Sequence, residues 1–524
     1  MLDDPSALDL VSTHHHRRKQ VAHDEDAQGA NIARGDEALR RCAPMRSTPS
    51  AVGKARAGRD VVAQLVLRAS NLALGIAVTV VLVRTLGDEA FGQWSTLLAI
   101  VGILGYFGSL GLDRVAIERA ASEPERAPSW VGALVTLRLA LALPVMLATI
   151  AICLWLADDT AMRTAAAIVG ATVPVSALTA ARVVFEIQVR NAVTTGIEVA
   201  NGILWAIAVV LVAAADGGLV PVAIAFLAVT SITSAVLLLW ALRSAPIRLR
   251  GSRRLWRGLL RLGVPVGIGG LLTRGYGSID QVIVFELAGA RDAGLYGAVY
   301  RIFERLQFLP GSLMITLFPI IVAARDADPE RVKRIFHLAV EYLMIMSLPS
   351  VAIALAGADP IVRALFGAEF AEAAPALPIL MAAFVLVSLG FLAGHLIIAY
   401  GLQRRFVWIA LGALVFNVAA NLALVPRYGF MAAAVMTLLT ELLVTGLTLT
   451  LVWRRVGVRT VSPRLLRIAA AAVATGGAGW MLRVGGVPTA AWVGLAALLY
   501  GVLLVALGAV RVGEILALVR DRAS

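Results

Sequence analysis

Apolar runs of about 20 residues recur from residue 61 to residue 510 of this 524-residue chain, separated by mostly short polar loops. Wound as an α-helix at roughly 1.5 Å per residue, each run covers the ~30 Å of hydrocarbon in a bilayer. That excludes most folds, because a backbone segment in lipid must satisfy its N–H and C=O groups internally. Composition agrees: 59% of the residues are hydrophobic and 15% charged, too apolar for a soluble core to hide. The chain reads as an all-α, polytopic membrane protein of about fourteen transmembrane helices. They fall near 61–83, 93–112, 130–156, 164–185, 197–215, 219–242, 262–288, 293–322, 335–357, 375–400, 406–425, 429–452, 465–482 and 490–510.

With these spans drawn, the basic residues alternate between rich and poor loops. Of the 47 lysines and arginines, 35 fall on one side, counting Arg467 at the edge of its span, 6 on the other and 6 deeper within spans. Lys and Arg are retained in the cytoplasm, so the rich side is cytoplasmic and both termini lie there. The net charge of +13 is then mainly a topology signal, and no nucleic-acid partner is implied. Two cysteines, Cys42 and Cys153, build neither a disulfide framework nor a thiolate metal site. No metal or other cofactor is indicated, and His14, His15 and His16 read as a solvated run in a polar tail. That tail, 1–59, has the mixed polar composition of a disordered segment, with Met45 an alternative start.

An internal repeat divides the spans. VLVRTLGDEAFGQW at 81–94 and IVFELAGARDAGLY at 283–296 align without gaps at a shift of 202 residues, pairing Gly87 with Gly289, Gly92 with Gly294 and Trp94 with Tyr296. Each copy joins the first and second spans of a six-span block. Six spans return the chain to its starting side, so 60–242 and 262–452 are expected to be parallel lobes related by an axis along the membrane normal. Two extra C-terminal helices within 465–511, packing outside the bundle, and a cytoplasmic tail at 512–524 complete the chain. Loops this short leave no room for a soluble catalytic domain, so no enzyme activity is expected.

Charges inside the spans carry the functional signal. An arginine at mid-bilayer costs about 2.5–3.5 kcal/mol on insertion scales, so six would cost on the order of 15–20 kcal/mol unless they face water or partners. The six are Arg68, Arg138, Arg182, Arg274, Arg301 and Arg305. Arg138 and Arg182, near span ends, suit structural pairing with carboxylates. Arg68, Arg274 and Arg301 lie on the first or second helices of the two blocks, where a central cleft should form. Guanidinium groups stay charged and bind phosphate oxygens through paired hydrogen bonds, which favours an anionic headgroup such as pyrophosphate. Arg301, Glu304 and Arg305 share one helical face at i, i+3 and i+4, so Glu304 can neutralise one arginine and leave one free. Asp280 balances charge likewise, or holds a coupling proton or cation. Glu341, Glu441 and His395 are further candidates for which a structural hydrogen bond is the simpler role. The glycines at 267, 269, 270, 275 and 277, with Pro310 and Pro319, suit either helix bending or close packing.

RTLGDEAFGQWSTLLAIVGILGYFGSLGLDR at 84–114, DQVIVFELAGARDAGLYGAVYRI at 280–302 and FGAEFAEAAPALPIL at 366–380 resemble segments of the bacterial polysaccharide transporter family, the O-antigen and exopolysaccharide repeat-unit flippases. That family sits in the superfamily of multidrug/cation exporters and lipid II flippases. The resemblance implies a two-lobed bundle in the cytoplasmic membrane that moves an undecaprenyl-pyrophosphate-linked oligosaccharide between leaflets. A coupling ion, H+ or Na+, and polysaccharide-assembly proteins are implied as partners besides membrane lipid. The family's cavity is basic, and Arg68, Arg274 and Arg301 fit that description. Rival readings are a lipid II flippase, a cation or drug exporter, and a membrane-embedded glycan polymerase or ligase.

Overall fold

Leucine, alanine and valine dominate the apolar runs, and they wind into helices because lipid offers the backbone no other partner. The computed structural model describes the backbone of residues 51–510, apart from 189, 246, 248, 250, 326 and 458–461, and side chains from Ala73 onward, apart additionally from 191 and 455. The chain divides into two units, Met1–Val66 with Val519–Ser524, and Leu67–Leu518. In the first unit only the helical backbone of 51–66 is described. Of the expected tail of 1–59, residues 1–50 lie outside the described residues, and 51–59, rich in Ala, Lys and Arg, have helical backbone. The expected C-terminal tail, 512–524, lies outside the described residues.

Seventeen α-helices follow one another in the described residues. They are α1 (Ala51–Ser109), α2 (Leu112–Ser122), α3 (Ala127–Leu156), α4 (Thr160–Gly170), α5 (Thr172–Ala177), α6 (Val183–Ile187), α7 (Asn191–Ala214), α8 (Leu219–Ser244), α9 (Arg253–Tyr276), α10 (Ile279–Leu306), α11 (Phe308–Ala324), α12 (Pro329–Phe366), α13 (Ala376–Ala399), α14 (Gln403–Tyr428), α15 (Phe430–Val456), α16 (Pro463–Val484) and α17 (Thr489–Ala506). Twelve continuous helical runs are long and apolar enough to cross a membrane. Two of them, Ala73–Ser122 and Arg253–Ala324, contain 50 and 72 residues, against the roughly 20 that one crossing needs. The fourteen expected spans thus meet twelve runs, two of which are long enough for more than one crossing.

Glycine breaks these long runs. Gly87 in α1 (φ 71°) and Gly289 in α10 (φ 91°) interrupt otherwise helical backbone with a conformation that L side chains resist. These are the glycines that the 202-residue repeat pairs. A second break, at Gly277 and Ser278, separates α9 from α10, so Arg274 and Asp280 lie on different helices rather than on one span. The expected span 164–185 is likewise resolved into α4, α5, a 3₁₀ turn and α6.

The paired glycines also join the two halves. A Cβ on Gly92 would stand 1.9 Å from the Ala290 carbonyl oxygen, and one on Gly294 would stand 1.8 Å from that of Asp88. Under the 202-residue shift the first contact becomes the second, as a two-fold axis between equivalent halves requires. Trp94 and Tyr296, another repeat pair, are both buried at this junction. One continuous core carries Val83, Phe91 and Trp94 from the first half and Phe285, Tyr296 and Phe384 from the second.

Within the second half α13 lies against α12 and α15, while α14 packs on α9, α10 and α15. The last two helices sit on α12: Gly476 and Gly479 of α16 fit against Ala352 and Ala356, and Trp492 of α17 is fully buried beside Gly357. Their other faces are open and apolar, with Leu466, Val473 and Leu498 at least 70% exposed. Lipid is the solvent that such surfaces call for.

Candidate functional site

The charged residues of α9 and α10 meet on one carboxylate. Arg301 Nη1 donates to Glu304 Oε2 at 2.6 Å, an i, i+3 contact on α10, and Arg274 Nη1 reaches Glu304 Oε1 at 3.9 Å from α9. One acid therefore holds two guanidinium groups, each by a different oxygen. Arg305 makes no ion pair or hydrogen bond among the described residues. Sequence spacing anticipated one acid and one free cation on α10, and the free cation is Arg305.

Both arginines that project toward α1 do so past glycines. The Arg274 guanidinium lies against Gly102, where a Cβ would come within 2.5 Å of it, and that of Arg305 lies against Gly75, where a Cβ would stand 3.0 Å from it. The missing side chains leave room for planar cations at the interface of the halves. The glycines of α9 serve both expected roles. Gly267 approaches the Leu110 backbone closely and Gly270 accommodates the Tyr106 ring, while Gly277 sits at the helix break.

Three adjoining cavities surround this cluster, and Glu304 lines all of them. One of about 500 Å³ lies among α9, α10, α13 and α15 and includes Arg274. A second, about 660 Å³, lies between α1, α7 and α10 and includes Arg301 and Arg305. The third, about 250 Å³, shares Arg274 with the first and Arg301 with the second. Arg274, Arg301 and Arg305 thus line the cavities together with Glu198, Glu304 and Glu441, and Arg305 reaches the second cavity without an ion pair among the described residues. Such a chamber can hold an anion through bidentate hydrogen bonds in surroundings that screen little.

A second polar centre lies beside the first. Asp280, 3% exposed at the start of α10, accepts hydrogen bonds from Thr437 Oγ1 (2.9 Å), Tyr296 Oη (3.3 Å) and Asn421 Nδ2 (3.5 Å). Asn421 Nδ2 also donates to Asn417 Oδ1 (3.2 Å), and Asn417 Nδ2 donates to Thr440 (3.3 Å). Asp280 has hydroxyl and amide donors but no ion pair among the described residues. Asn417, Asn421, Thr437 and Thr440 were not singled out in the sequence. Their signal was nevertheless present, as an i, i+4 amide pair on α14 and an i, i+3, i+4 polar stripe ending in Glu441 on α15.

The remaining candidates divide clearly. Arg68 sits on α1, and its side chain lies outside the described residues. Arg138 and Arg182 converge on Asp113 at 3.1 Å each, with Glu186 also on Arg182 at 3.5 Å, the structural pairing expected of them. Glu341 of α12 accepts from Ser462 Oγ (2.8 Å) and Arg464 Nη1 (3.3 Å) at the start of α16, away from the three cavities. His395 bonds the Phe391 carbonyl at 2.7 Å and packs edge-on against Phe318. Glu441 lines the 500 Å³ cavity.

Fold and site together define a multi-span helical membrane protein whose two pseudo-equivalent halves enclose a charged chamber. Residues 81–375, more than half of the chain, match the family described as polysaccharide biosynthesis protein, and the chain belongs to that family. A curated relative, the probable flippase AglR of Haloferax volcanii, is 26% identical over 170 residues, which span 32% of this chain and 35% of that protein. Among solved structures, the lipid II flippase MurJ in an inward closed conformation aligns at a TM-score of 0.68 and 11% identity, over 84% of this chain and 98% of that one. An inward-facing multidrug resistance MATE family transporter of the MOP superfamily aligns at 0.62 and 15% identity, over 75% and 98%. At these identities the structures establish a shared fold.

Proposed function

We propose that this protein is a flippase that carries a polyprenyl-pyrophosphate-linked oligosaccharide repeat unit across the cytoplasmic membrane for surface polysaccharide assembly. The observation that carries the reading is the arginine cluster itself. Arg274 and Arg301 share Glu304, Arg305 has no ion pair among the described residues, and all four line cavities at the junction of the halves. Arg68 would join them from α1. In this reading the guanidinium groups hold the pyrophosphate, the sugars cross through the chamber and the polyprenyl chain stays in lipid. The lobes, 60–242 and 262–452, rock about the cleft across fourteen crossings, with both termini in the cytoplasm and 465–511 as accessory helices. An inside-negative potential favours outward movement of an anion by about 2.3 kcal/mol per charge per 100 mV. Asp280 is the coupling site for H+ or Na+, while Glu304 and Glu341 balance charge.

Family membership and the flippase relative support a cargo of lipid-linked glycan. A lipid II cargo carries the same pyrophosphate, so the glycan that accumulates on depletion separates the two. Cytoplasm-facing lipid-linked repeat units should build up, and wild type should clear them while Arg274→Ala does not. Full rescue by a variant with alanine at 274, 301 and 305 would end the arginine reading. Accumulation of lipid II instead would reassign the cargo.

A further inference from the structure

The pyrophosphate reading leaves two acids of the chamber unused, Glu198 in the second cavity and Glu441 in the first. Glu441 lines the 500 Å³ cavity, yet its carboxylate has no ion pair or hydrogen bond among the described residues. The preceding turn of α15 is already engaged, since Thr437 donates to Asp280. Around Glu441 the cavity presents aromatic walls, among them Tyr276, Tyr300, Phe391 and Phe406. Tyr300 is braced by Tyr296 and Phe303 at ring-centroid distances of 5.2 and 5.1 Å, and its hydroxyl is spent on the Gly277 carbonyl. The Tyr300 ring is thus held between two aromatic neighbours with its hydroxyl already engaged.

A carboxylate with two accepting oxygens and no donor is costly to bury, and a ligand rich in O–H groups removes that cost. Sugar rings supply adjacent hydroxyl donors on their edges and apolar C–H faces that pack on aromatic rings. The cavity volume falls within the roughly 300–1,000 Å³ usual for sites that enclose small ligands. It also shares Arg274 and Glu304 with the chamber assigned to the pyrophosphate. A sugar joined directly to that pyrophosphate would therefore lie within reach of Glu441.

We propose that the cavity among α9, α10, α13 and α15 is the glycan subsite, in which Glu441 accepts hydroxyl hydrogens of the sugar nearest the pyrophosphate while the aromatic walls cover its ring faces. This rests on the pyrophosphate reading above, and the experiment separates the two. Purified full-length protein is titrated with bare polyprenyl pyrophosphate and with the same lipid bearing one glucose, galactose or N-acetylglucosamine. At least one sugar-bearing lipid should bind about tenfold tighter than the bare lipid. Glu441→Gln should abolish that gain and leave affinity for the bare lipid unchanged. Phe391→Ala, which removes a ring and no charge, should shrink the same gain and provides a second readout if Glu441→Gln is unstable. Persistence of the gain in Glu441→Gln, an equal change for bare and sugar-bearing lipids, or no gain in wild type overturns the subsite. Failure of wild type to bind the bare lipid overturns the arginine reading and the subsite with it.

Discussion

Glu304 decides which guanidinium groups can meet a ligand. It occupies hydrogen-bonding positions of Arg301 and, more loosely, Arg274, so an incoming pyrophosphate must compete with it. Glu304→Gln keeps the shape and removes the competing charge. It should raise affinity for inorganic pyrophosphate roughly tenfold, about 1.4 kcal/mol, by titration calorimetry, while lowering thermal stability because two cations lose their acid. Asp280 predicts a different outcome. Its hydroxyl and amide donors hold no counter-cation, so Asp280→Asn should leave pyrophosphate affinity unchanged and remove the dependence of transport on an H+ or Na+ gradient. Loss of both together would place Asp280 in the anion site instead. The i, i+3, i+4 set on α10 was legible because helical geometry alone brings those residues together. The arrival of Arg274 was not, since it depends on how α9 returns over α10. The cage around Asp280 escaped for a related reason: Asn417, Asn421 and Thr437 come from helices more than a hundred residues away in sequence, and only their shared burial makes them one centre.

At the scale of helices, the junction of the halves is built from backbone rather than from charge. Gly92 on the Ala290 carbonyl and Gly294 on that of Asp88 are contacts that no larger residue can make. Ion pairs and carbonyl contacts then reinforce them: Arg291 bridges Asp88 and Glu372 at 3.0 and 3.1 Å, and Arg84 donates to the carbonyls of Leu365 (2.8 Å) and Ala364 (2.5 Å). Gly92→Ala should keep the halves apart at this end. With cysteines introduced at positions 88 and 291 of a chain lacking Cys42 and Cys153, a short bifunctional reagent should cross-link far less in the alanine variant. Equal cross-linking would mean that the junction opens by another route. The repeat was visible in the sequence through these same glycines, because a left-handed turn and a close backbone approach both demand glycine wherever the repeat places them. Helix ends were less legible. Charged residues mark the breaks at Gly87 (Arg84, Asp88, Glu89) and Gly289 (Glu286, Arg291, Asp292), but Gly277 is one of five glycines within 267–277, so nothing local marked it as the end of α9.

At the scale of the whole molecule, three observations converge: lipid-ready outer faces, a pseudo-symmetric junction and a chamber lined by three arginines and three glutamates. The outer faces and the chamber make opposite predictions for accessibility. Single cysteines replacing Arg274, Arg301 or Arg305 should react with a membrane-impermeant thiol reagent, whereas cysteines replacing Leu466 or Leu498 should be protected by lipid. The reverse pattern would mean that the cluster is dry. Membership of the polysaccharide biosynthesis protein family ties the chain to glycan assembly, and in the function proposed above the arginines hold the cargo. The most direct measurement is therefore translocation itself, in proteoliposomes that contain the purified protein and a fluorescent polyprenyl-pyrophosphate-linked oligosaccharide, read by quenching from one side. Wild type should equilibrate the lipid between leaflets, and the variant with glutamine at 274, 301 and 305 should not. Equal rates for the two proteins would contradict the claim that these guanidinium groups carry the headgroup across.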